Sequence, residues 1–272
     1  MRQLVLVAPL LGACNQLLGL DPTSLAVDAA TIDAAPDASV CPSQGQLGFV
    51  DEDGDTIDDR CDRCPSVADD QADSDGDGVG DACDVTATPT RIAFFDGFHD
   101  GELTGWVVVG VENWTESDDH AVLGSGNAIS VLVADIPAIA HGRVVTSIEV
   151  TGLPTATDHV IGAAFSGADL SAYTCVADES GTTTSAAAYI HEEQAGSRSV
   201  VTGPNGLLGA FQLGAVMVTD ARWNTAAQTC NFDLGGEVSL MGADPDLPAG
   251  SAGIYSQSVL VRVPYVVIYE EL

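Results

Sequence analysis

Two twelve-residue stretches, DEDGDTIDDRCD at 51–62 and DSDGDGVGDACD at 73–84, constrain this chain more than any other feature. Residues 51–84 carry 14 acidic side chains against two arginines. Carboxylates so close repel one another and raise each other's pKa. The segment also has too few apolar residues to offset the entropy of ordering it. Such a run is either a solvated acidic tract or a cage for a hard cation, and spacing separates the two. A calcium loop draws oxygen ligands from positions 1, 3, 5, 7, 9 and 12, with a sharp turn at position 6. Counted from Asp73, positions 1, 3 and 5 are Asp73, Asp75 and Asp77, and Gly78 falls at the turn. Val79 offers its carbonyl at 7, and Asp81 and Asp84 stand at 9 and 12. Counted from Asp51, the set is Asp51, Asp53, Asp55, the Ile57 carbonyl, Asp59 and Asp62, with Thr56 at the turn. The second loop is expected to bind more tightly, because glycine takes such turns without steric cost and threonine does not. Aspartate at position 12 is shorter than the usual bidentate glutamate, so dissociation constants of about 10⁻⁵–10⁻³ M are expected.

A shift of 22 residues superposes the two stretches, and Cys41-Pro42-Ser43 matches Cys64-Pro65-Ser66 upstream. A repeat at a fixed period signals architecture rather than composition. The unit running from Cys64-Pro65 to Gly80-Asp81-Ala82-Cys83-Asp84 resembles the thrombospondin type 3 repeat. That resemblance implies calcium ions wrapped by irregular backbone with almost no apolar core, and disulfides that pin the wrapping. The first repeat departs from the pattern at Thr56 and where QLGFV replaces the polar DDQA approach. Each loop runs into Cys-Asp, unlike a dockerin loop, which runs into a helix. The duplication pairs Cys41 with Cys61 and Cys64 with Cys83, and leaves Cys175 and Cys230 for each other.

All eight basic residues are arginine, and the net charge is −32. Nothing here would neutralise phosphates, which argues against nucleic acid, or adhere by charge to anionic lipid. The opening MRQLVLVAPLLGAC pairs one early Arg with an apolar run, as a short secretory signal does. Leu11-Gly12-Ala13-Cys14 resembles the lipobox of bacterial lipoproteins. By that resemblance residues 1–13 are a signal peptide, Cys14 carries the lipid, and 14–40 form a flexible Ala/Asp/Ser/Pro-rich tether. The expected location is the cell envelope of a bacterium, at the outer membrane or cell surface. No later segment reaches the roughly 20 apolar residues of a membrane span. With Cys14 lipidated, six cysteines remain for an oxidising compartment.

From Arg91 the composition changes to short Val/Ala/Ile-rich runs between Gly, Asp, Ser and Thr clusters. Examples are WVVVGV (106–111), RVVTSIEVTG (143–152), HVIGAAFS (159–166) and VLVRVPYVVIYEE (259–271). Strands at this spacing indicate an all-β, two-sheet antiparallel sandwich of about twelve to fourteen strands. The opening FFDGFHDGELTGWVVVG and the ending SAGIYSQSVLVRVPYVVIYE resemble concanavalin A-like jelly-roll domains. The resemblance spans 91–272 and implies that the first and last strands pair. The fold it names hosts lectins, adhesion modules and hydrolases, so it does not decide function.

No motif for catalysis stands out. A glycanase of this kind needs two carboxylates about 5–10 Å apart, which E-x-D-x-E on one strand would supply, and 91–272 lacks it. Asp118-Asp119 beside His120 and Glu192-Glu193 beside His191 are sequence neighbours, which on a strand face opposite ways. Trp106, Trp114, Trp223, Tyr173 and Tyr189 are candidates to stack on sugar rings, although large aromatics are mostly packing residues. The reading favoured by these residues is a calcium-binding, lipid-anchored surface module that binds a glycan or matrix ligand without catalysis. A glycan-acting hydrolase and a purely structural envelope protein are the alternatives. The sandwich core is expected to hold without the ions.

Overall fold

The computed structural model describes residues 41–272 apart from 111–112, 125, 127, 156–157, 167–171, 181–184, 195–196, 225–226 and 244–248. The signal, the lipobox with Cys14 and the tether lie outside the described residues. The chain divides into two units, Met1–Cys41 and Pro42–Leu272. The second unit holds both acidic loops and the strands of the described residues.

Among the described residues there is no helix. The described residues form sixteen strands in two antiparallel sheets that face each other as a sandwich. The nine-stranded sheet contains β1 (Thr90–Asp96), β3 (Trp114–Glu116), β4 (Ala121–Leu123) and β6 (Gly142–Gly152). Its other members are β11 (Val216–Trp223), β12 (Ala227–Asp233), β13 (Glu237–Ala243), β15 (Leu260–Val263) and β16 (Val266–Glu271). The seven-stranded sheet contains β2 (Trp106–Gly110), β5 (Ile129–Ala134), β7 (Asp158–Ser166) and β8 (Ala172–Ser180). It is completed by β9 (Ala186–Gln194), β10 (Ser197–Gly209) and β14 (Ser251–Gln257), in the order β10-β9-β8-β7-β14-β5-β2.

The first and last strands pair antiparallel, from Thr90 opposite Glu271 to Asp96 opposite Val266. A register shift between Ile92 and Phe94 absorbs one residue. The run 259–271 is two strands, because Pro264 has no N–H to donate to a ladder. β15 and β16 follow one another along one edge of β6, whose other edge carries β11.

Side-chain alternation sends Val144, Ile148 and Val150 of β6, Val266 and Ile268 of β16, and Ile161, Ala163 and Phe165 of β7 into the core between the sheets. Cys175 on β8 and Cys230 on β12 join the two sheets by a disulfide, with Cα atoms 5.7 Å apart and both residues fully buried. Cys64 and Cys83 form a second bridge, with Cα atoms 5.6 Å apart. Cys41 and Cys61 are each disulfide-bonded as well.

The second repeat does not stand off from the sandwich as a spacer would. Cys64, Val79 and Cys83 pack with Val145, Val267 and Tyr269 on the outer face of the nine-stranded sheet, flanked by Ile92, Phe95 and Tyr265. Arg143 fastens this contact. Its guanidinium meets Asp220 through Nε (2.7 Å) and Nη2 (3.0 Å), lies 5.4 Å from the centre of the Tyr269 ring, and donates through Nη1 to the Cys83 carbonyl at 2.5 Å.

Candidate metal centres on two aspartate loops

The two loops fold by the same set of hydrogen bonds. At position 1, Asp51 accepts from the Gly54 N–H through Oδ1 (2.8 Å) and from the Thr56 N–H through Oδ2 (3.0 Å). Asp73 does the same with Gly76 (2.7 Å) and Gly78 (3.1 Å). At position 3, Asp53 accepts from the Asp55 N–H and Asp75 from the Asp77 N–H, at 3.1 and 3.3 Å. At position 5, Asp55 accepts from the Ile57 N–H and Asp77 from the Val79 N–H, at 2.7 and 2.9 Å. Position 9 closes each loop on position 2. Asp59 accepts from the Glu52 N–H (2.9 Å), and Asp81 accepts from the Ser74 N–H (2.7 Å) and hydroxyl (2.6 Å). Short side chains that accept from the backbone two to five residues on stabilise tight turns of this kind.

Those bonds converge carboxylates. Asp51, Asp53 and Asp55 each place an oxygen within 4.8 Å of the others, and so do Asp73, Asp75 and Asp77. Asp59 and Asp81 are committed to the loop closure just described. Asp62 and Asp84, at position 12, accept from the N–H two residues on, that of Cys64 (2.7 Å) and Thr86 (3.0 Å).

Asp62 also belongs to a third cluster, with Asp55 and Asp69, again within 4.8 Å. Sequence reasoning missed Asp69. The available signal was the polar DDQA approach at 69–72, which the first repeat lacks. Gln71 sits at this junction, with its Oε1 accepting from the Arg63 N–H at 2.9 Å. Its Nε2 donates to Asp62 (2.7 Å), Asp69 (3.0 Å) and Asp55 (3.2 Å).

The donor set fits a hard cation. One oxygen each of Asp53, Asp62 and Asp69 is buried without a hydrogen-bond partner, and Asp62 is only 6% exposed. A buried charged oxygen without a partner is costly, and a divalent ion is the group that compensates it. Burial, and then the neighbouring Asp62 among other carboxylates, pushes Asp53 up to about 6. Burial likewise raises Asp62 and Asp59. Glu52 is pushed up to about 7 by burial, partly opposed by His99, whose Nε2 lies 3.4 Å from its carboxylate.

The turn residue differs between the loops. Thr56 has φ +82° and Gly78 φ +100°. Both are left-handed, a region that costs a β-branched residue far more than glycine.

Most of the aromatic candidates are structural. Trp114 donates to the Ser130 hydroxyl (2.9 Å) and Trp223 to the Ile139 carbonyl (3.3 Å), and both rings are buried, as is Tyr173. Trp106 packs on Phe94 and Phe98 and donates to Asp96 at 2.7 Å. Tyr189 differs, being half-buried on the outer face of the seven-stranded sheet, with its ring 5.0 Å from that of His191. On the same face Arg198 lies over the Tyr255 ring (5.7 Å), donates to the side-chain oxygen Oε1 of Gln257 (2.5 Å) and stands 4.0 Å from Asp178. Asp118 and Asp119 both have positive φ and stand in the turn between β3 and β4, where Asp119 lies 3.4 Å from His99.

No protein-family model matches the chain. No curated protein matches it. Among solved structures it is similar to a variant of the GH43 protein BlXynB from Bacillus licheniformis, with 14% identity and a TM-score of 0.48 over 65% of this chain. That match spans 39% of the BlXynB chain. It is also similar to the carbohydrate binding module CBM66 from Bacillus subtilis, with 12% identity and a TM-score of 0.47, covering 60% of this chain and 93% of that one. The Lotus tetragonolobus seed lectin matches with 10% identity and a TM-score of 0.48, covering 65% of this chain and 97% of that one. At TM-scores under 0.5 these likenesses say nothing of what this chain binds.

Proposed function

We propose that this chain is a calcium-binding surface module whose sandwich binds a glycan or matrix ligand without catalysis, anchored in the bacterial cell envelope by lipid on Cys14. The observation that carries the calcium reading is the repetition of one hydrogen-bond set in two loops, each converging three carboxylates. Asp51, Asp53 and Asp55 with the Ile57 carbonyl would hold one ion, and Asp73, Asp75 and Asp77 with the Val79 carbonyl another. Asp55, Asp62 and Asp69 would hold a further ion in the first repeat. A bound calcium supplies positive charge to carboxylates that otherwise repel, and metal binding is then folding free energy for this segment. The ligand reading draws support from Tyr189, half-buried beside His191 on the sheet face that also carries Asp178 and Arg198, since aromatic rings near hydrogen-bonding groups suit saccharides.

Calorimetric titration with calcium tests the first part. The parent should take up calcium, and the Asp75→Ala, Asp77→Ala double variant should take up less. Equal uptake by the two would make the second acidic run a solvated one. A glycan array on the full chain, run beside a reducing-sugar release assay, tests the second part: retention without release is expected, and release would make the sandwich a hydrolase. Mass spectrometry of the mature N-terminus should find acyl chains on Cys14, and Cys14→Ser should free the protein from membrane fractions.

A further inference from the structure

The second loop is joined to the sandwich through its own ligand residues. Asp77 accepts from the Val79 N–H through Oδ1, and its Oδ2 accepts from the N–H of Thr90, the first residue of β1. Asp84 accepts from the Thr90 hydroxyl at 3.4 Å. Val79 is held on two sides. Its carbonyl belongs to the loop, while its side chain, 1% exposed, packs with Val145, Val267 and Tyr269 of the sheet. The first loop shows what this arrangement is for. There the other oxygen of Asp55 reaches Gln71 of the next repeat, so position 5 of each loop grips the segment that follows. In the second loop the segment that follows is the sandwich itself.

β1 has little else to hold its outer face. Among the described residues it pairs only with β16, and Ile92 and Phe95 are covered by the second repeat. Four like-charged carboxylates, Asp73, Asp75, Asp77 and Asp81, must stay within one short loop for Asp77 and Val79 to remain seated. Resting on the calcium reading above, we infer that filling the second loop is linked to the seating of β1. Calcium locks the edge strand onto the sandwich, and its removal frees β1 and uncovers the apolar strip Val145–Val267–Tyr269. The rest of the core is independent of the ion.

Linkage makes the inference quantitative. If β1 opens only when the loop is empty, calcium suppresses opening by a factor of one plus its concentration over Kd, about 100-fold at 100 times Kd. Hydrogen exchange on the full chain, with calcium as the only added ligand and a chelator as control, reads this directly. Amides of 91–96 should slow in proportion to calcium, and those of 160–165 in the seven-stranded sheet should not change. Asp75→Asn, whose carboxylate bonds only within the loop, should abolish the effect on 91–96. Val79→Ala keeps the ligand carbonyl, so it should still bind calcium but give a smaller slowing. Calorimetry on the same samples separates the two possible failures. Calcium uptake with unchanged exchange at 91–96 would overturn the linkage and leave the calcium reading standing. No uptake at all would overturn both.

Discussion

Replacing Thr56 by glycine should tighten calcium binding by the first loop. Thr56 sits at φ +82°, in the left-handed region, and its side chain is exposed, so little packing is at stake. Holding an L-residue there costs about 1–2 kcal/mol. Glycine removes that cost but loses roughly 0.5–1 kcal/mol more conformational entropy on ordering. The net gain is about 0.5–1 kcal/mol, or roughly two- to fivefold in affinity. The N–H that bonds Asp51 Oδ2 at 3.0 Å is kept in the variant. The measurement is chelator-competition titration of the full chain carrying Asp75→Asn, which silences the second loop, with and without Thr56→Gly. The mirror experiment is Gly78→Thr. A Cβ at position 78 would meet nothing within 4 Å, so the cost is conformational alone; by the same reckoning it is about 0.5–1 kcal/mol, roughly two- to fivefold in affinity. If Thr56→Gly binds no tighter than its parent, or Gly78→Thr binds as well as its own, turn strain does not set the difference between the loops.

Three further outcomes are expected. Replacing Cys64 and Cys83 by serine opens a bridge across a sequence separation of 19 residues and should lower stability by about 3 kcal/mol, read from thermal unfolding. Arg143→Lys keeps the charge but loses the paired bonds to Asp220, and should cost about 1–2 kcal/mol in denaturant titration; a neutral result would remove Arg143 as the fastener of the repeat. His191, 2% exposed, is held down to about 4 by burial and by Arg198. The native state therefore binds fewer protons than the unfolded chain, whose imidazole titrates near 6.5, so this stability is complete above 6.5 and lost as pH falls through about 4. His191→Gln should flatten the stability curve across that window, and an unaltered slope would show that His191 is not the group responsible.

The loops were legible because their information is local. Carboxylates at alternate positions with a turn residue between them make the same bonds wherever they occur, so spacing alone located Asp51 to Asp55 and Asp73 to Asp77. Asp69 was not legible in this way. It meets Asp55 and Asp62 across the boundary between repeats, a contact that no spacing within one loop encodes. Among the strands, β10 is hard to read because Gly203-Pro204-Asn205-Gly206 has the composition of a turn, although the chain pairs with β9 on both sides of it. The apolar stretch 207–223 spans the end of β10 and the whole of β11.

The docking of the second repeat left a trace in the sequence that alternation alone does not interpret. A strand with one face in water alternates apolar and polar residues, whereas a strand covered on both faces reads as a continuous apolar run. Val266, Val267, Ile268 and Tyr269 form such a run, and all four are buried. Val266 and Ile268 face the core, and the odd members Val267 and Tyr269 face outward. A two-layer sandwich has no partner for those outward residues, so the run implies a third layer over the last strand. The acidic repeat is a poor candidate for that layer on composition. Yet Cys64, Val79 and Cys83 supply it, because the repeat presents its disulfide and a buried valine to the sheet, while Asp77 and Asp84 reach only Thr90 at the start of β1. The same pattern in β5, where Val131, Leu132 and Val133 are all buried, marks the outer face of the seven-stranded sheet as covered too, with Val131 and Val133 packed beside Tyr255 beneath Arg198.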